Sequence, residues 1–147
     1  KVLVPVLRAF RAELGEERAN EIAREALYAW WLAIARSGGV QPDAHPRKRL
    51  NAAFAAGGYA PEPAALDIDP IRSDLEVQQF NVTGCRYANF FREIGEPDLG
   101  FMLLCNADNA FTEAAGPGLE LVRTQTIMQG ANHCDFKWQV KGEPAGD

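Results

Sequence analysis

The sequence predicts an α+β domain in which N-terminal helices pack with a small antiparallel sheet. Three observations carry that expectation. Residues 1–60 place their apolar side chains at helical spacing. The second half holds short runs that alternate apolar and polar positions, as strands do. The elements run as helices, a strand, two helices and a final hairpin, an order that suits a sheet covered by helices. With 147 residues, 47% of them hydrophobic, the chain reads as one domain over 1–147, a helical region over 1–60 followed by an α/β region over 74–140.

Residues 2–14 carry Leu3, Val6, Leu7, Phe10 and Leu14 on one helical face, with Pro5 tolerable in the first turn and Gly15 as the stop. Glu16 to Ser37 reads as a longer helix, acidic at its start, with Ile22, Ala26, Ala29, Trp30, Ala33 and Ile34 on its stripe and Gly38-Gly39 at its end. The Trp30-Trp31 pair makes this helix apolar over more than one face, so it is expected to pack inside the domain or dock a second copy of the chain. From Gln41 to Pro70 five prolines punctuate a weak helical stretch near Arg47 to Ala56, and the remainder reads as loop. Asp74 to Val82 reads as a strand, and Thr83-Gly84 lead into a helix from Cys85 to about Ile94. After the break at Gly95-Glu96-Pro97, Asp98 is the expected N-cap of a helix from Leu99 to about Ala115. Leu119 to Thr126 and Cys134 to Val140 read as two strands joined through a turn at Gln129 to Asn132, with a frayed tail from Lys141 to Asp147.

Charge and cysteine usage narrow the function classes. A formal net charge of −5 handicaps binding to nucleic-acid backbones or anionic membranes. No apolar run is long enough to span a bilayer, and Lys1 to Leu7 before Arg8 is too short for a signal-peptide core. Cys85, Cys105 and Cys134 are an odd, widely spaced set without a C-x-x-C pair, which fits free thiols in a reducing cytoplasm better than a disulfide framework. No Walker loop, dinucleotide fingerprint, H-E-x-x-H or G-x-S-x-G is present.

The chemistry-bearing side chains fall in the second half. Cys85 ends a strand and opens a helix, where unpaired N–H groups and the helix dipole favour thiolate; the alternative is a small buried thiol at a tight corner. Cys105, Asp108 and Thr112 share a helix face, so Asp108 either meets a partner on an apolar stripe or lies at its solvent edge. Alternation groups Leu119, Leu121, Arg123 and Gln125; if the leucines face the core, Arg123 points inward and needs an anion, either Asp108 or the carboxylate of a bound substrate. In the opposite phase Glu120, Val122, Thr124 and Thr126 face inward instead. In His133-Cys134-Asp135, Cys134 points into the core while His133 and Asp135 share the other face, and His133 is the better placed of two histidines for proton transfer.

The stretch FNVTGCRYANFFREIGEPDLGFMLLCNADNAFTE, followed by LVRTQTIMQGANHCDFKW, resembles the L-2-amino-thiazoline-4-carboxylic acid hydrolase family. The markers are C-R-Y-A at Cys85, L-C-x-A-D at Cys105 to Asp108, R-T-Q-T from Arg123, and G-A-N-H-C-D-F from Gly130. The family also looks distantly like the V4R and Bet3-type ligand-binding domains. The resemblance implies hydrolysis of a cyclic amidine to a carbamoyl amino acid, with a small-molecule pocket between helices and an antiparallel sheet. It further implies Cys85 as nucleophile, His133 as proton shuttle oriented by Asp108 or Asp135, and Arg123 holding the substrate carboxylate, with Tyr87, Cys105, Asn132 and Cys134 lining the site. No cofactor is expected; the alternative is a zinc ion held by some of Cys85, Cys105, Cys134 and His133 to activate water. A sensor or carrier that binds a small organic acid without turnover is the reading from a different class.

Overall fold

The computed structural model describes residues 2–39, 41–58 and 65–142. Helix α1 spans Leu3–Leu14 and α2 spans Glu16–Ser37, and Gly15 turns the chain between them at φ 83°, a conformation that favours glycine. Helix α1 buries only part of the face the periodicity suggests, and α2 buries a different one. On α1 only Leu7 is buried, and Leu3, Val6, Phe10 and Leu14 remain exposed. What ties α1 down is charge: Arg8 Nε and Arg11 Nη1 donate to the buried Glu96 carboxylate at 2.7 and 2.6 Å. On α2 the inward line is Ala19, Ala23, Leu27, Trp31 and Ala35, whereas Ala26, Ala29 and Ala33 face outward and Trp30 is 51% exposed. An alanine-rich helix is apolar on two faces, and its partners select the line that carries Leu27 and Trp31.

Helix α3, Pro46–Ala56, starts with Pro46 in its first turn and the His45 ring accepting the Arg47 N–H at 3.2 Å. Strand β1, Leu66–Ser73, lies where the sequence reads as loop. Pro70 argues against a central strand, but β1 is an edge strand, and its register shifts beside Pro70. The expected start at Asp74 is instead a turn, in which the Asp74 carboxylate accepts the N–H groups of Glu76 and Val77. Strand β2 therefore runs Val77–Cys85, and α4 follows at Arg86–Glu93.

The expected helix over Leu99 to Ala115 begins earlier and is interrupted. Glu96 rather than Asp98 takes the cap position, with its side chain spent on the two arginines instead of a capping bond. Helix α5, Pro97–Gly100, passes into a π-helical turn over Phe101–Cys105, and α6 resumes at Ala107–Ala114. A Cβ on Gly100 would lie 2.6 Å from Phe91 Cγ, so glycine is what lets this helix approach α4 so closely. Strand β3, Leu119–Val122, stops four residues short of its expected end, and β4 runs Cys134–Val140 after a 3₁₀ turn at Ile127–Gln129.

The strands form an antiparallel sheet in the order β1-β2-β4-β3. One face carries Phe80, Val82, Cys134, Phe136, Trp138, Leu119 and Leu121 against the helices. Ala35, Ala53, Ala107 and Ala110 are fully buried and let α2, α3 and α6 approach one another, with Phe111, Phe54 and Trp138 filling the space between helices and sheet. The α+β class agrees with the sequence expectation. Among the described residues no helix is long and apolar enough to cross a membrane, and the tail beyond Gly142 lies outside them.

Candidate functional site

Arg123 is the centre of the most developed polar arrangement. It follows β3 on the face of Leu119 and Leu121, so its side chain is directed inward and only 7% of it is exposed. Its Nη1 donates to Asp108 Oδ2 at 2.7 Å and its Nη2 to the Cys105 carbonyl at 3.0 Å. The guanidinium also lies 5.1 Å from the centroid of the Phe136 ring. The π turn makes this possible: Asn109 N–H turns to Asn106 O, and the Cys105 carbonyl accepts from Arg123. Burial pushes the Asp108 carboxyl up, to about 6, against the downward pull of Arg123. Of the two anions open to Arg123 in the sequence, the protein supplies Asp108.

The three thiols gather at one hydrophobic cluster. Cys134 is buried and accepts the Ile127 N–H at 3.2 Å, while Cys85 and Cys105 pack against the same hydrophobic cluster. Each of the three lies close enough to Arg123, Asp108 or another thiol for their charges to interact. Burial pushes Cys105 up to about 12 and raises Cys134 as well, so both are protonated at neutral pH. Cys85 occupies the N-cap of α4 and its Sγ accepts the Ala88 N–H at 3.4 Å. Tyr87, one residue into α4, is exposed to solvent.

His133 and Asp135 are held apart from each other. The Asp135 carboxylate accepts from Thr124 N at 2.8 Å, Thr124 Oγ1 at 2.5 Å and Gln125 N at 2.9 Å. Burial raises this carboxyl, but those three donors outweigh it and hold it below the ordinary range. They also divert the Thr124 and Gln125 N–H groups from the ladder, which is why β3 ends early. His133 Nδ1 meets Asn132 Oδ1 at 2.6 Å, and Gln125 Nε2 lies 3.2 Å from both ring nitrogens. The side chains that orient this imidazole are thus two amides, Asn132 and Gln125. Asp108 and Asp135, the carboxylates expected in that role, are engaged by Arg123 and by the Thr124-Gln125 segment. Among the described residues no three His, Cys, Asp or Glu side chains are arranged to hold a metal ion, so the alternative zinc set of Cys85, Cys105, Cys134 and His133 is not assembled.

A cavity of about 230 Å³ opens beside Arg123. Phe101 and Leu121 give it an apolar wall; Asn109, Arg123, Gln125 and Gln129 give it a polar one. None of the three cysteines lines it. Asn109 and Gln129 are exposed amides on a helix and in a turn, and no sequence pattern singles them out. Gln125 carried a signal, since strand alternation placed it on the face of Arg123.

The family model of L-2-amino-thiazoline-4-carboxylic acid hydrolase matches residues 1–138. The chain belongs to that family. No curated protein matches it. Among solved structures, this member of the hydrolase family is similar to the phenol-responsive sensory domain of the transcription activator PoxR, determined with phenol. That likeness has a TM-score of 0.55 at 14% identity, over 95% of this chain and 73% of the other, and at such identity it is a likeness of fold.

Proposed function

We propose that this protein is a hydrolase that opens a small cyclic amidine bearing a carboxylate, of the 2-amino-thiazoline-4-carboxylate kind, to a carbamoyl amino acid. The observation that carries the reading is a buried guanidinium, Arg123, on the wall of a small polar cavity in a chain of this family. In the reaction a water oxygen ends on ring C2 as the urea carbonyl and the C2–S bond breaks; one water proton ends on the ring sulfur, which leaves C2 as a thiol, and the other on the former ring nitrogen. Arg123 anchors the carboxylate. His133, one side chain behind Gln125, moves the proton.

Two nucleophiles serve this scheme. Cys85 Sγ could bond C2 first and be displaced by water in a second step, or water could attack directly. Because Cys85 packs against the core and not on the cavity wall, we assign the attack to water. The test is ring opening by Cys85→Ser and His133→Ala. The reading expects most activity to survive in the first and a loss of about 10²- to 10⁴-fold in the second, the usual worth of general acid–base catalysis. An inactive Cys85→Ser with a trapped thiol adduct in the wild type would move the attack to Cys85, and near-full activity in both would overturn the site.

A second reading, binding of a small organic acid without turnover, is favoured by one observation: the described cavity has neither thiol nor imidazole on its wall. The similar solved structure is a sensory domain. Tight binding of 2-amino-thiazoline-4-carboxylate with no ring-opened product would establish this reading and exclude the first.

A further inference from the structure

The hydrogen bonds already made around the cavity define what its occupant must offer. A guanidinium carries five N–H donors, and Arg123 spends two of them, on Asp108 and on the Cys105 carbonyl. The rest have no acceptor among the described residues. Gln125 uses its Nε2, which donates to the His133 carbonyl at 3.0 Å, and its Oε1 accepts nothing from any described residue. Asn109 likewise donates its Nδ2 to Asn106 Oδ1 at 3.0 Å, and its own Oδ1 has no partner among the described residues. Gln129 is the reverse case: its Oε1 accepts from Thr126 Oγ1 at 3.1 Å, and its Nε2 has no acceptor among the described residues. The open groups are therefore donors at Arg123 and Gln129 and acceptors at Gln125 and Asn109.

We propose that Gln125 and Asn109 are specificity-determining residues that read an N–H-bearing end of the ligand, while the unspent N–H groups of Arg123 take its carboxylate. This deepens the hydrolase reading and rests on it for the choice of an organic carboxylate. It also extends it, because nothing in this donor and acceptor pattern recognises a ring. An open-chain ureido acid presents the same carboxylate and the same N–H groups, so the cavity holds the ring-opened product class as well as the cyclic substrate. At about 230 Å³ the space lies below the roughly 300–1,000 Å³ of pockets for drug-sized ligands, which restricts the occupant to a small acid of this kind. Gln125 is half-buried and Asn109 exposed, so Gln125 carries more of the discrimination against an analogue that leaves its partner group unpaired.

The experiment is equilibrium binding to the full chain with three probes: ureidoacetate, pentanoate (which keeps the carboxylate and lacks the N–H groups), and ureidoacetamide (which lacks the charge). Ureidoacetate is expected to bind at least about tenfold more tightly than either other probe, one hydrogen-bonded contact being worth about that factor. Gln125→Met should remove about tenfold from ureidoacetate binding and leave pentanoate unchanged. The double variant Arg123→Met/Asp108→Leu, which replaces both charges with apolar groups and so leaves no ion unpaired, should lose both carboxylates. Amide resonances of Thr124 to Gln129 should shift with ureidoacetate. Absence of binding, equal binding of pentanoate and ureidoacetate, an unaffected Gln125→Met, or shifts confined to the residues around Cys85 would each overturn the inference. Ring opening without ureidoacetate binding would overturn this inference and keep the hydrolase reading. Ureidoacetate binding at Thr124 to Gln129 without ring opening of any cyclic amidine would do the opposite.

Discussion

Replacing Asp108 with leucine strands a cation inside the protein, and the structure sets the size of the effect. The Arg123 side chain is 7% exposed and its partner 14%, with a 2.7 Å contact between them. Without Asp108 the guanidinium keeps one carbonyl, that of Cys105, and the face of Phe136. Loss of one charge-assisted hydrogen bond accounts for about 1.5–3 kcal/mol. The unpaired charge raises the total to about 3–5 kcal/mol, the usual cost of removing one partner from a buried ion pair. Replacing both residues, as Arg123→Met/Asp108→Leu, removes the stranded charge and should bring stability back to within about 1–2 kcal/mol of the wild type. Urea unfolding of wild type, both single variants and the double variant closes a thermodynamic cycle, and the coupling, the sum of the two single losses less that of the double variant, should be at least about 2 kcal/mol. An Asp108→Leu protein within about 1 kcal/mol of wild type would refute the argument, as would a double variant whose loss is the sum of the two single losses.

Two further outcomes follow from the same region. Asp108 has its carboxyl raised to about 6 in the folded chain, above the ordinary value of about 3.9 for an unfolded aspartate. Between those two values the folded state binds more protons, so the Asp108 contribution is full below about pH 4 and declines as the pH rises through about 6; the stability difference between wild type and Asp108→Asn, measured by urea midpoints, should fall over that window. Gly100→Ala would set a methyl 2.6 Å from Phe91 Cγ and 2.7 Å from Met128 Sδ, and should cost about 1–3 kcal/mol in thermal or urea unfolding, the range for overpacking a filled core.

Much of the fold is legible because local signals and tertiary demands agree. Gly15 and Gly38 bound α2 where the sequence says they should, and Cys85 caps α4 at the predicted corner. The departures have physical causes. Pro70 hides β1 because its tolerance depends on edge position, which no local pattern reports. Asp135 shortens β3 by capturing two N–H groups from ten and eleven residues away. The outward turn of Trp30 follows from a choice between two apolar faces that only the sheet and its companion helices make.

The site was legible in part, and for similar reasons. Strand alternation and helix spacing allow Arg123 to meet Asp108, because both rules concern neighbours on one face. The grouping of the thiols is less accessible, since Cys85, Cys105 and Cys134 come from three elements. The amides of the cavity were the hardest to see. Asn109 and Gln129 carry no charge and belong to no motif, so their meaning depends entirely on which of their hydrogen bonds are already made.

The π turn also makes the chain sensitive to residue counting. Each residue of an α-helix advances the azimuth by about 100°. Phe101–Cys105 closes a wider loop, with Asn106 N–H reaching back to the Phe101 carbonyl at 2.9 Å. The loop thereby absorbs one residue that an uninterrupted helix would have spent on rotation. Regularising that turn to an α-helix with the residue count unchanged would swing α6 by about that angle, carrying Asp108 away from Arg123 and Phe111 away from the core together, whereas deleting a single residue there would straighten the helix and leave α6 in phase. The surface loops can lengthen or shorten at little cost, whereas this segment acts as a phase setting that fixes the orientation of everything downstream of it.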